Sequence, residues 1–179
     1  MAIHEVIRMG HPTLRKVAEQ VSLEEIQSEE MSVFIQDMIE TMEDYDGIGL
    51  AAPQINVSKQ IAVIKIHEDS PRYPESNTSP LFVLFNPIVS KLTDEEQGFW
   101  EGCLSVPGLR GFVERPSKIQ VDYIDQEGKS QSLVLEGFLA TVFQHELDHL
   151  QGTLYIDRIK DTKLLSYSEE FDEYFDQDS

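Results

Sequence analysis

The stretch 138–150 limits what this chain can fold into more than any other: it reads as a buried helix, yet it carries four ionisable groups. Phe138, Leu139, Ala140, Val142 and Phe143, followed by Leu147 and Leu150, place apolar side chains nearly all round a helix, the mark of a segment inside a core. Gly152 supplies a natural stop. Inside this segment stands Gln144-His145-Glu146-Leu147-Asp148-His149. A four-residue step advances an α-helix by about 400°, so the two imidazoles share one face, roughly 6 Å apart. Two rings and two carboxylates in a buried helix are costly unless something satisfies them, and a metal ion does so. Glu146 stands about 100° round the axis from His145, near the metal without being needed as a ligand. A carboxylate there can take a proton from a metal-activated water.

A catalytic centre of this kind needs three protein ligands and one open position. No histidine follows His149, and the acids of the C-terminal segment are scattered. Upstream, Trp100-Glu101-Gly102-Cys103-Leu104-Ser105-Val106-Pro107-Gly108 contains the only cysteine. An isolated cysteine fits a small buried apolar residue equally well. Gly102 and Pro107-Gly108 are expected to mark a strand end running into a turn, where a thiolate could face the helix. A third segment, Gly47-Ile48-Gly49-Leu50-Ala51-Ala52-Pro53-Gln54, lacks the Lys-Ser/Thr ending of a phosphate loop. Its small residues suit an edge on which an extended peptide could pair, and Gln54 offers an amide to a developing oxyanion. A glycine-rich turn before a strand explains the same residues almost as well.

Taken together and in order, these three segments resemble the peptide deformylases. Arg8-Met9-Gly10 and Leu14-Arg15 extend the similarity over about residues 1 to 160. The departures are a polar insertion at 67–80 and the acidic C-terminal segment. The resemblance implies a hydrolase that removes the formyl group from the N-terminal methionine of newly made proteins and releases formate. It implies Cys103, His145 and His149 as ligands of one divalent metal ion, with Fe²⁺ the working ion in cells and Zn²⁺, Ni²⁺ or Co²⁺ alternatives in purified protein. Glu146 is implied as the proton carrier. Gln54 and the backbone N–H of Leu104 are the implied oxyanion donors.

The substrate residues follow from the same resemblance. Ile48, Gly49 and Leu50 are expected to pair with the substrate backbone. Phe138, Thr141 and Val142, one or two turns before His145, would line the methionine slot with Ile48 and Phe99. Arg110 matches a family arginine near the distal substrate backbone. Glu101 and Arg115 are expected to form an ion pair holding the cysteine loop, and Asp148 to orient a ligand ring or to cap its surroundings. Two other readings fit parts of the pattern. An H-E-x-x-H endopeptidase would need a downstream ligand. A non-catalytic metal or redox sensor would need neither Glu146 nor Gln54.

The expected frame is α+β, with antiparallel or mixed sheets packed around a central, late, metal-binding helix. At 179 residues the chain fits one catalytic domain over 1–179. Ser22-Leu23-Glu24-Glu25 is a capping-box signal for an amphipathic helix through Ile26, Phe34, Ile35, Met38, Ile39 and Met42, and Pro12 suggests a shorter helix through about Val21. Strands are expected at 60–66, 81–85, 118–124 and 132–135, the last two joined by a hairpin turn at Asp125-Gln126-Glu127-Gly128. The tail from about Ser168, acidic around Phe171, Tyr174 and Phe175, reads as a solvated or loosely docked extension. No apolar leader or membrane span is evident, so a soluble cytoplasmic enzyme is expected. The formal charge of −19 argues against nucleic-acid binding. Transient ribosome association would then need a basic protein surface.

Overall fold

Burial of the late helix organises the molecule. The computed structural model describes residues 2–66 and 78–175, and in it helix α3 spans Gly137–His149. From Ala140 to Leu150 only Gln144 and Asp148 escape full burial. These two lie one turn apart, so they form a single polar stripe on an otherwise apolar cylinder.

Two antiparallel sheets enclose that cylinder. The first is ordered β1-β2-β3-β6-β7, from Gly49–Ala51, Ile61–Ile64, Phe82–Lys91, Lys118–Ile124 and Ser130–Glu136. The second is ordered β4-β5-β8, from Glu96–Cys103, Val106–Pro116 and Leu165–Tyr167. Helix α3 packs on strands of both, as the α+β expectation required. Phe143, fully buried, meets Phe82 of β3 edge-on at 5.2 Å, and truncating such a ring to Ala costs about 3–5 kcal/mol. Helix α2, Glu29–Asp44, covers β1 and β2 with Met31, Ile35, Met38 and Met42.

The chain departs from its sequence pattern in identifiable places. The capping box at Ser22 forms, but the helix it starts (α1, Leu23–Ile26) lasts one turn. Ser28 then donates to the Glu25 carbonyl at 2.7 Å and accepts from Met31 N at 3.1 Å. A side chain competing for backbone groups in this way ends one helix and caps the next. The helix expected from Pro12 to Val21 is only the single turn Pro12–Arg15. Beyond it, Ala18 N donates to Leu150 O and Glu19 N to Ser58 O, so tertiary partners take the donors a helix would use.

Strand β3 runs past the expected end at 85 to Lys91, because a bulge between Phe85 and Ile88 absorbs Asn86 and Pro87. Asn86, at φ 49, clamps Val21 with two hydrogen bonds of 2.8 Å. The turn after Cys103 falls at Leu104-Ser105 and not at Pro107-Gly108, which belong to β5; Cys103 pairs with Val106. Of the two expectations for the C-terminal segment, docking is the one seen over residues 168–175: Ser168–Tyr174 form helix α4, and Phe171 and Phe175 rest on Trp100. Of the polar stretch 67–80, residues 67–77 lie outside the described residues.

Candidate metal centre

Cys103 closes β4 just after a register shift between Glu101 and Cys103. That shift turns the thiol toward α3. One ligand atom each from Cys103, His145 and His149 lies within 4.8 Å of the others, and the Cys103 Sγ is 3.4 Å from His149 Nε2. His145 engages Glu101 through Nδ1 at 2.8 Å, which leaves Nε2 for the cluster. The three donors, one soft sulfur and two imidazoles, suit a first-row divalent metal. Burial, and then the proximity of His145 and Arg115, holds His149 well below the ordinary histidine value, in the neutral form a ligand needs. Burial opposes protonation of His145, but hydrogen bonds with Cys103 and Glu101 reverse that and raise it. The pull on a proton there is the pull the same groups exert on a metal cation.

Behind the donors runs a chain of ion pairs. Arg115 grips Glu101 twice, at 2.6 and 3.0 Å, and reaches Asp148 at 2.8 Å. Arg158 grips Asp148 at 2.5 and 2.6 Å. Burial would raise the Glu101 carboxyl, but His145 and Arg115 together hold it below its ordinary range. Asp148 therefore steadies Arg115 and Arg158, so of its two expected roles it is the local one, and not the orienting of a ligand ring, that is seen. The expected Glu101–Arg115 pair forms.

Glu146 sits at the mouth of this cluster. Its Oε2 is buried and has no hydrogen-bond partner among the described residues. Burial pushes its pKa up to about 7. Its carboxylate lies where Gly49 has no side chain: a Cβ on Gly49 would be 2.5 Å from it. Gln54 faces the cluster from the other side. Its Oε1 accepts from Ala51 N at 2.9 Å, while Nε2 donates to Ser105 Oγ at 3.2 Å and approaches Cys103 Sγ at 3.5 Å. The carbonyl end is thus committed to β1, and the N–H end is aimed at the site.

A cleft opens over these groups. Ile48, Gly49 and Leu104 line it, and Phe138, Thr141 and Val142 of α3 supply another wall. Leu50, by contrast, is fully buried and does not line it. Its strand, β1, is an edge of its sheet. Phe99 backs the Phe138 ring at 5.5 Å, and it is Trp100, its neighbour, that reaches the cleft. Arg110 lies across Gly102, where a Cβ would be 2.1 Å from its Nη1, and borders the adjoining cleft with Arg8 and His11.

Sequence reasoning missed Trp100, Ser105, Arg158 and Tyr155. Tyr155 is buried and stacks on the His145 ring at 5.8 Å. Nothing in its spacing singles it out, because it opens a single 3-10 turn, Tyr155–Arg158, too short to show a period.

The polypeptide deformylase family matches this chain over residues 3–164. The peptide deformylase of Leptospira biflexa is 46% identical over 172 residues, 96% of each chain. Peptide deformylase 1 of Nitrosomonas europaea is 42% identical over 167 residues, 93% of each. Among solved structures, the Met-Ala-Ser-bound class I type b peptide deformylase of Acinetobacter baumannii superposes with a TM-score of 0.85 at 35% identity, covering 88% of this chain and 99% of that one. The Synechococcus elongatus peptide deformylase in complex with actinonin gives a TM-score of 0.78 at 37% identity over 97% of this chain and 85% of that one. With a largely buried Cys-His-His cluster at the centre and relatives matched almost end to end, the chain belongs to the peptide deformylase family.

Proposed function

We propose that this protein hydrolyses the N-formyl group from the N-terminal methionine of nascent chains and releases formate, with a single catalytic domain carrying the whole reaction. The observation that carries this reading is the pairing of a buried Glu146 carboxylate, whose Oε2 has no partner among the described residues, with a sulfur–imidazole–imidazole triangle and an inward-aimed Gln54 amide. Cys103, His145 and His149 would hold the metal, which when bound acidifies a water and polarises the formyl oxygen.

The chain's own residues do the rest. Glu146 takes a proton as water adds to the formyl carbon. It returns that proton to the nitrogen as the C–N bond breaks, leaving formate and a free amine. The Gln54 Nε2–H and the Leu104 N–H stabilise the oxygen as it gains charge. Ile48, Gly49 and Leu50 pair with the substrate backbone along the edge of β1. Ile48, Phe138, Thr141 and Val142 receive the methionine side chain, with Phe99 supporting Phe138, and Arg110 meets the distal backbone. The Met-Ala-Ser carried by the Acinetobacter relative has the methionine-first form that this reaction would leave.

An endopeptidase would draw its third ligand from beyond His149, whereas the sulfur comes from β4. A sensor has no use for a proton carrier at about pKa 7. We assign Fe²⁺ as the working ion in the cytoplasm, where availability outweighs its low place in the affinity order; an iron–thiolate centre is open to oxidation. A meeting with the ribosome would run through a basic protein surface, since a charge of −19 repels RNA.

The test is formate release from formyl-Met-Ala-Ser, with acetyl-Met-Ala-Ser as control, on protein purified without oxygen and analysed for metal. The expected result is an iron enzyme selective for formyl that loses activity in air. A fully active, iron-free, zinc-loaded preparation would overturn the iron assignment. Equal rates on the two peptides would overturn the reading itself.

A further inference from the structure

Strand β4 lays alternate side chains along helix α3. Phe99 meets the Phe138 ring at 5.5 Å, and Glu101 reaches His145 at 2.8 Å. Gln97 lies on the same face of the strand and touches the first turn of the helix with one atom. Its Nε2 donates to the Gly137 carbonyl at 2.5 Å and to Thr141 Oγ1 at 3.1 Å. A carbonyl oxygen only accepts, so the Gly137 contact fixes which end of the Gln97 amide points at the helix. Both hydrogens of that NH₂ group are then spent, and the Thr141 oxygen is held as an acceptor.

The consequence falls on the hydroxyl proton of Thr141. It cannot go to Gln97, which offers it only donors. A threonine inside a helix commonly bonds back to the carbonyl four residues earlier. Here that carbonyl is Gly137, already taken by Gln97 and by the helix's own ladder. Thr141 is 2% exposed, and among the described residues its hydroxyl accepts from Gln97 and donates to none. It stands one turn before His145, on the face that His145 and Glu146 turn to the metal cleft, beside Phe138 and Val142. Gln97 does not line that cleft. The hydroxyl is therefore a spare donor between two apolar side chains of the slot.

We propose that the Thr141 hydroxyl, held by Gln97, donates to the thioether sulfur of the substrate methionine, so that the slot reads sulfur as well as length and shape. This rests on the deformylase reading of the cleft. A thioether is a weak acceptor, but this donor is buried with no rival acceptor, and leaving it unmet is costly. Norleucine has the same length with a methylene in place of sulfur. It fills the slot and strands the donor, which is how a polar group in a slot tells near-isosteres apart. Thr141 touches the substrate and sets specificity; Gln97 is a positioning residue that acts through it.

The test uses the full-length, metal-loaded protein and two substrates, formyl-Met-Ala-Ser and formyl-norleucyl-Ala-Ser, compared as a ratio of kcat/KM. Thr141→Val keeps the shape and removes the hydroxyl. In it the ratio of methionine over norleucine should fall about three- to tenfold, the scale of one net hydrogen bond. The change should sit in KM for the methionine peptide. Thr141→Ser, which keeps the hydroxyl, should hold the parent ratio. Gln97→Leu frees the hydroxyl to bond back to Gly137, so its ratio should fall as well. The Thr141→Val/Gln97→Leu double variant should fall no further than Thr141→Val alone. A merely structural role would slow both peptides alike and leave the ratio where it was.

An unchanged ratio in Thr141→Val would overturn the inference, as would a fall of equal size in Thr141→Ser. A Gln97→Leu ratio equal to the parent's, or losses that add in the double variant, would overturn the positioning role of Gln97. If Gln97→Leu does not fold, the two Thr141 variants decide. Absence of formate release by the parent enzyme would instead sink the deformylase reading. The affinities of Met-Ala-Ser and norleucyl-Ala-Ser for parent and Thr141→Val, measured by calorimetry, then carry the comparison: a smaller preference for methionine in the variant supports the contact, and an unchanged one overturns it.

Discussion

At Gly49 a missing side chain decides what Glu146 can do. A Cβ there would lie 2.5 Å from the Glu146 carboxyl carbon, far inside van der Waals contact, so Gly49→Ala must displace the carboxylate while leaving Cys103, His145 and His149 untouched. We expect Glu146→Gln to keep its metal and lose turnover by about 10²–10⁴-fold, and Gly49→Ala to lose a large part of the same factor. The double variant should be no slower than Glu146→Gln alone, because residues acting as one unit are not additive. Metal analysis and single-turnover formate release check this; full additivity would separate Gly49 from the proton carrier. Gln54→Ala should lower kcat by roughly 10²–10³-fold, with a smaller change in KM. At this scale the sequence was most legible where chemistry imposes spacing, as in His145, Glu146 and His149. Trp100 and Tyr155 were not legible: the pattern around Trp100 does not reveal its partners Phe112, Phe171 and Phe175, which come from β5 and the C-terminal segment, and Tyr155 sits in a single 3-10 turn after α3, too short to leave a periodic trace.

Between elements, the link from β4 and β5 to α3 is ionic. Arg115 is nearly inaccessible and satisfies Glu101 and Asp148 together, so Arg115→Ala leaves Glu101 with His145 alone and Asp148 with Arg158 alone, breaks a buried pair and should cost about 3–5 kcal/mol. Metal affinity should also fall about 10–100-fold as His145 loses its oriented partner. Arg158 is far more exposed, and Arg158→Ala should cost about 1 kcal/mol or less. Thermal scans of the metal-free proteins rank the two; an equal loss would show that the outer arginine carries the chain of pairs. The Glu101 carboxyl is held below its ordinary value of 4.5. A depressed folded-state pKa gives stability that is present above that value and lost as pH falls through the folded one. The Tm advantage of the parent over Glu101→Gln should therefore be full at neutral pH and shrink below about pH 4.5. These pairs join residues far apart in sequence, and charge spacing alone made only the Glu101–Arg115 pair visible. The split of the α1–α2 helix was hidden for a related reason: Ser22 and Ser28 are equally good caps, and only the Ser28 bond to the Glu25 carbonyl decides that both are used.

For the molecule as a whole, 33 acidic residues face 14 basic ones, and most of the described basic side chains are already paired. Lys59, Lys65, Lys91, Lys118, Lys129 and Lys160 each meet a carboxylate, as do Arg15, Arg115 and Arg158. What remains is a surplus of like charge that repels itself and opposes the compact state. Salt acts on both contributions in opposite senses: it weakens exposed pairs, each worth about 0–1 kcal/mol, and it screens the surplus. Raising ionic strength from about 0.01 M to 0.15 M shortens the screening length from about 30 Å to 8 Å. Pairs in contact lose little over that range, whereas repulsions across the surface are largely removed. Net stability should therefore rise with salt. For a chain of this size each kcal/mol is worth about 2–4 °C, and an upward shift in Tm of a few degrees is expected between these two conditions, with metal content held constant. A Tm that falls with added salt would mean that the surface pairs, and not the surplus charge, govern the electrostatics of the fold.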